Sequence, residues 1–331
     1  MTDANLAAPI ARHGRNAPLV RMFGWGMLAI LAAFLINNAL IVGFGFTGVS
    51  GLWSGNAGAA MLTAGVYVVS VILAVGFVIS SSGTALRFDS DRIHRFNVFL
   101  IRWAFWVVLL VGVADSLVAF LRVEGFFFLW MEEDAARAFG RSRYVGMTIH
   151  LPLIGVAFLI ALVTRTLGFV WLALLIVAAE LLIVISRFVF SYEQALMGDL
   201  VRYWYAALFL FASAYTLFDE GHVRVDVLYA GFKGTTRGFI NAFGSITLGL
   251  STCWVIIWVG FNGPRSIINS PVMNFEVTQT GGVGMFVKYQ MAAFLGIFAV
   301  TMLIQFISYL FEAVADYRDE PGHRNHEPAA H

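Results

Sequence analysis

From Phe23 to Phe46 the chain is almost without interruption apolar, and stretches of similar length, about twenty residues, recur as far as Phe311. A hydrocarbon core of roughly 30 Å asks that length of a helix that crosses it. Of 331 residues, 60% are hydrophobic and 12% are charged, with a mean hydropathy of +0.80. An ordinary soluble domain has about a quarter of its residues charged. The sequence therefore predicts an all-α, polytopic helical membrane protein. No polar stretch is long enough to build a soluble catalytic domain.

Eight spans are predicted, at about Phe23–Phe46, Ala59–Ser80, Val98–Leu121, Met147–Val163, Phe169–Phe190, Leu200–Phe218, Phe239–Phe261 and Met285–Phe311. The apolar run from Met147 to Phe190 is broken only by Thr164–Gly168. As one helix it would measure roughly 60 Å, twice the core, so a turn at Arg165–Gly168 and two crossings fit better. Arg12, Arg15 and Arg21 precede the first span, and Arg87, Arg92 and Arg95 follow the second. By the positive-inside tendency both segments, and hence both termini, are expected in the cytoplasm. The first span is too long for a cleaved signal peptide and reads as a retained crossing. Ser191-x-x-Gln194 has the form of a capping box that would open a short surface helix. The aromatic cluster Phe126–Trp130 suits the membrane interface.

The motifs of several chemistries are missing. Gly231-Phe232-Lys233-Gly234-Thr235-Thr236 has the letters of a phosphate loop in the wrong order. There is no Cys/His metal spacing and no G-x-S-x-G elbow. His150 and His222 sit at span ends and do not form a haem pair, and the histidines of the tail, His323, His326 and His331, read as a solvated terminus. The single cysteine, Cys253, excludes an internal disulfide. A net charge of +1 without a basic stripe gives no sign of a nucleic-acid partner. No cofactor, metal or enzymatic activity is expected.

Polar residues at depth are more informative. Glu180 falls at the middle of the fifth span and Asp115 lies within the third. A carboxylate at the bilayer centre costs roughly 2.5–3.5 kcal/mol on insertion scales, so it tends to face protein or water. These two either fix helix packing through hydrogen bonds or couple transport to an ion, and packing is the preferred reading. Asn37 and Asn38 read as interhelix contacts. Near the outer turn, Arg187, Glu193, Asp199 and Arg202 gather, and Asp199 and Arg202 are helix neighbours three apart. After the sixth span comes the string Glu220-Gly221-His222-Val223-Arg224-Val225-Asp226. It is either an ion-paired helix end, with Gly221 as its C-terminal residue, or an ordered joint that binds a neighbouring subunit.

Residues from about Leu172 to Tyr317 resemble the small membrane subunit (DctQ-type) of TRAP transporters, the tripartite ATP-independent periplasmic family. The resemblance rests on Arg187 after an apolar span, then Asp199 and Arg202-Tyr203 opening the next, then the string Gly221-His222-Val223-Arg224-Val225-Asp226. Lys288 entering the last span and Gln305 within it also match. Gly198 stands where such subunits commonly carry a second acid, and about 150 residues precede the similar part. Together with the spans read above, the resemblance divides the chain into a cytoplasmic segment (1–21), four additional spans (22–168) that it does not cover, a four-helix DctQ-like region (169–315) and a polar tail (316–331). It implies a small permease subunit in a bacterial inner membrane that scaffolds a large permease subunit. A periplasmic binding protein would deliver an organic acid, and an ion gradient would drive uptake. The competing reading is a self-sufficient carrier or channel that uses Glu180 and Asp115.

Overall fold

A computed structural model describes residues 11–53, 57–166, 168–218 and 229–322. Among them are eight helices long and apolar enough to cross a membrane. They are α1 (Pro18–Phe44), α2 (Ala57–Ser80), α3 (Leu86–Val123), α4 (Ser142–Val163), α5 (Phe169–Phe190), α6 (Ala195–Phe218), α7 (Gly234–Gly260) and α8 (Lys288–Tyr317). The described residues hold no strand, only an isolated bridge between His13 and Thr84. The protein is a polytopic helical membrane protein, as its apolar runs require.

The ends of the helices follow local chemistry. Pro18 opens α1, where its missing N–H costs nothing. Gly168 adopts a left-handed φ of 70° between α4 and α5, a conformation open to a residue without a Cβ, and this turn separates the two helices of the long apolar run. α4 starts at Ser142, five residues before the expected Met147, which gives it 22 residues and a sufficient length. Ser191 does not open a surface helix. It ends α5 at φ 51°, and Gln194 turns inward to bond Glu124 and Tyr192.

α3 is the largest departure from expectation. Residues 86–97, expected as part of a polar connection, are its first three turns, and the helix runs 38 residues. Its buried positions include Leu86, Ser90, His94, Asn97, Ile101, Phe105, Val108, Val111, Asp115 and Val118, the three- and four-residue spacing of a single face. At about 1.5 Å per residue it measures roughly 57 Å, well beyond a bilayer core. The polar first turns make up the excess.

The chain divides into two compact units, one of residues 1–97, 215–255 and 302–331, the other of residues 98–214 and 256–301. In the first unit, the ends of α1, α2, α3 and α8 are joined by buried charge. Nε of Arg21 donates to Asp89 at 2.7 Å, and both side chains are almost wholly buried (0% and 1% exposed). Arg21 also donates to the carbonyl of Ser81 at 2.6 Å and to its hydroxyl at 2.9 Å, and Trp25 donates to the same Asp89 oxygen at 3.0 Å. Arg87 pairs with Glu312 at 2.5 Å and Asp316 at 2.7 Å. Ser90 and Ser308 exchange hydroxyl bonds to each other's carbonyls at 2.8 and 2.9 Å. Arg15 and Arg318 each donate across from one end of the described chain to the other, so the start of α1 and the end of α8 lie together. Further along, Asn37 donates to the carbonyl of Thr63 at 2.9 Å and ties α1 to α2.

In the second unit, Phe127, Val118, Ala136, Val145 and Phe286 form an apolar cluster. The aromatic segment Phe126–Trp130 is a short helix that buries Phe127 there and leaves Phe128, Leu129 and Trp130 exposed.

Removing one partner of a buried ion pair leaves the other charge stranded, at a cost of about 3–5 kcal/mol. Asp89→Ala should therefore lower the thermal midpoint of the detergent-solubilised protein sharply. Asp91→Ala breaks only the exposed pair with Arg95 at 3.0 Å and should cost about 0.5 kcal/mol at most. Equal midpoints for the two variants in a scanning-fluorimetry experiment would contradict this ranking.

Candidate functional site

Of the string picked out from the sequence, Glu220, Gly221, His222, Arg224 and Asp226 lie outside the described residues. The residues on either side are anchored within the first unit. Phe218, the last described residue before it, stacks on His94 of α3. Nδ1 of His94 lies 3.0 Å from Oε1 of Gln305 on α8, and Asn97 donates to that oxygen at 3.2 Å. Tyr229, the first described residue after the string, accepts from Asn241 of α7 at 2.8 Å and lies beneath the guanidinium of Arg237. Gln305, matched to the family pattern on its own, thus belongs to the contacts that hold the approach to the string.

Asp199 organises a second group. α6 begins at Ala195 rather than near Leu200, so Asp199 lies in its second turn and points inward. One carboxylate oxygen accepts from Thr280 at 2.9 Å, from the backbone N–H of Met285 at 3.1 Å and from Thr278 at 3.3 Å. The two threonine hydroxyls also lie within bonding distance of each other, and since each has one proton, Thr280 donates to Asp199 while Thr278 shares its proton between Thr280 and the carboxylate. Arg202 approaches the other oxygen only to 3.6 Å, too far for a hydrogen bond, and its side chain is 72% exposed. The main partners of Asp199 are therefore in the segment 278–285, and Arg202 remains largely available on the surface. A Cβ at Gly284 would collide with Asp199 and Thr280, so the close approach of this segment requires a glycine. Lys288, the first residue of α8, pairs with Glu276 at 3.0 Å. Arg187 and Glu193 stand 3.5 Å apart, both exposed. Tyr192 donates to Glu124 at 2.6 Å, and burial, followed by that bond and the neighbouring charge, pushes the phenol up to about 12. It therefore remains a donor throughout the physiological range.

Asp115 heads a third group, which crosses four helices of the second unit. A π-type turn at Gly146–His150 carries His150 inward on α4. Nε2 of His150 is 3.1 Å from one oxygen of Asp115, and the backbone N–H of Phe286 donates to the other at 2.6 Å. Nδ1 of His150 is 2.7 Å from the Tyr289 hydroxyl. The set is complete with the imidazole proton on Nε2, facing the carboxyl, and with Nδ1 accepting from Tyr289. Gln290 in turn donates to the Tyr289 oxygen at 3.1 Å and accepts from Tyr203 of α6. Every bond in this series points the same way and ends on Asp115, whose side chain is wholly buried.

Glu180 is different. It is exposed at the middle of α5 and has neither a hydrogen bond nor an ion pair among the described residues. The interhelix bond expected of it is absent among the described residues, because α5 buries only Leu172 and turns the surface bearing Glu180 outward. The sequence reading also missed Asp89, His94, Tyr289 and Gln290, and gave Arg21 and Tyr203 no internal partner. For the residues of α3, the signal was the helical spacing of Asp89, Ser90, His94 and Asn97 with the apolar positions that follow. The partners from 278 to 290 have no such local signature.

The family model described as tripartite ATP-independent periplasmic transporters, DctQ component, matches residues 175–316. No curated protein and no solved structure matches the chain.

Asp115→Leu would leave the His150 and Phe286 N–H groups buried without acceptors, each at about 1–3 kcal/mol. Asp115→Asn keeps one acceptor and should be the milder variant. The order Leu below Asn below wild type is expected in thermal midpoint, and a Leu variant as stable as wild type would rule out this role.

Proposed function

We propose, from the match of residues 175–316 to the DctQ component model of the tripartite ATP-independent periplasmic transporters behind additional apolar helices, that this chain scaffolds the large permease subunit of such a transporter. In this reading the large subunit carries substrate and coupling ion, and a periplasmic binding protein delivers an organic acid. The ion gradient acts through the partner. This chain, in a bacterial inner membrane with both termini in the cytoplasm, provides shape and anchorage. Residues 22–168 form an added membrane region, and 169–315 form the DctQ-like one.

The observation that carries the proposal is the condition of Asp115. A carrier's coupling carboxylate needs a free ligand position or a path to water. Both oxygens of Asp115 are occupied by internal donors in a wholly buried setting, and its bonds serve to join helices. This speaks against a self-sufficient carrier that uses Asp115 with Glu180. The basic residues Arg12, Arg15, Arg87, Arg92 and Arg95 favour the proposed orientation, since they cluster at the start of α1 and of α3. The string Glu220–Asp226 is the proposed contact with the large subunit. Gln305 supports its approach, and Arg187, Asp199, Arg202 and Lys288, near the outer turn, are proposed as further subunit contacts.

Purification in mild detergent should recover a larger membrane protein with this chain, and liposomes that contain this chain alone should not accumulate an organic acid. Arg224→Glu or Asp226→Arg should reduce co-purification and uptake by about tenfold or more, the scale of one lost charge-assisted contact. Arg324→Glu in the tail should change neither. Solute accumulation by the chain alone, or equal tolerance at all three positions, would overturn the scaffold reading.

A further inference from the structure

Glu180 is the mid-span carboxylate that this chain leaves unsatisfied among its described residues. Asp89, Asp115 and Asp199 each receive several donors from within. Glu180 lies about eleven residues, or roughly 16 Å, from either end of α5, too deep for its short side chain to reach the interface from there. A polar side chain exposed to lipid at that depth is expensive, and such residues almost always face protein or water.

The surface around Glu180 indicates how it is covered. At helical spacing, Val177, Glu180, Val184 and Arg187 form one stripe, and all four are exposed. The stripe is apolar except for one acid at mid-depth and one base two turns later. The other sides of the helix also expose large apolar residues, Val170, Trp171 and Leu174 among them. A second copy of this chain, related by a two-fold axis along the membrane normal, would set Glu180 against Glu180 and Arg187 against Arg187. Two guanidinium charges would then face each other at the Arg187 level, and no group of another kind would stand opposite Glu180.

We infer that this α5 stripe is the seat of a transmembrane helix of a different, larger membrane chain. That helix presents a hydrogen-bond-donating side chain at the depth of Glu180. The inference rests on the scaffold reading above and adds to it the contact surface and the chemistry of the group opposite. The lipid-facing apolar residues provide packing, and the Glu180 contact fixes register along the membrane normal, since an acid in lipid can be satisfied at only one depth.

The test uses the full chain co-expressed with the large permease subunit. A photo-crosslinking residue is placed at Val177 or Val184, with Leu73 of α2, also exposed, as the comparison site. Adducts with the larger chain are expected from 177 and 184 in greater yield than from 73. Glu180→Leu should lower the recovered complex about tenfold, the upper end of what an interhelical hydrogen bond carries, while the chain itself still inserts with an unchanged thermal midpoint. Glu180→Gln, which retains an acceptor, should recover part of the loss. If the complex persists while 177 and 184 give no adduct, or if Glu180→Leu leaves recovery unchanged, the stripe is lipid-facing and this inference falls while the scaffold reading stands. An adduct of two copies of this chain would overturn the choice of partner. If no larger chain co-purifies even from wild type, both readings fail together.

Discussion

A polar group in hydrocarbon has no water to turn to, so its partner must come from protein. In this molecule that requirement explains more of the packing than apolar contact does, because lipid tails compete on nearly equal terms for leucine and valine. Arg21 and Asp89 illustrate it. Their pair is buried, and the remaining guanidinium N–H groups are spent on Ser81, while Trp25 adds a further donor to the acid. Such an ion pair contributes little net stability compared with an apolar substitute of the same shape. It does restrict which helix ends can meet, since any other arrangement would leave a charge without a counterpart.

α3 displays the same logic along its whole length. The buried face begins with ionic and hydroxyl contacts at Arg87, Asp89 and Ser90, continues through His94 and Asn97, becomes apolar from Ile101 to Val111, and ends in Asp115. The polar first turns lengthen the helix well past the core of a bilayer. Their donors and acceptors are matched by α1 and α8 rather than by solvent. The π-type turn at Gly146–His150 solves a related problem from the other side, since a wider turn redirects a side chain that regular α geometry would aim elsewhere.

The number of helices was legible in the sequence, because an apolar run of sufficient length has few alternatives to crossing. The split at Gly168 was legible for the same reason, from the length of a bilayer and the conformational freedom of glycine. What the sequence concealed were helices made of polar residues and contacts made at long range. Residues 86–97 resemble a loop by composition, yet Arg87, Ser90, His94 and Asn97 lie on a buried face because Glu312, Asp316, Ser308 and Gln305 await them more than 200 positions later. Asp199 had an evident local partner in Arg202, three residues away. Arg202 does stand 3.6 Å from one oxygen as a largely exposed ion pair, but the hydrogen bonds to the other oxygen come from Thr278, Thr280 and the Met285 backbone, and no pattern within one helix announces those.

Four acids of the spanning helices, Asp89, Asp115, Asp199 and Glu180, divide into two kinds. Asp89, Asp115 and Asp199 are closed in that each is buried and accepts at least two hydrogen bonds from the chain's own helices and turns. Glu180 is open, on a helix that buries a single residue in its own chain. A protein that worked alone would have gained by replacing that acid with leucine, at no loss of internal packing. The open acid makes physical sense when α5 is one side of an interface whose other side lies in another polypeptide. The closed acids then make sense as the means by which this chain holds that side still.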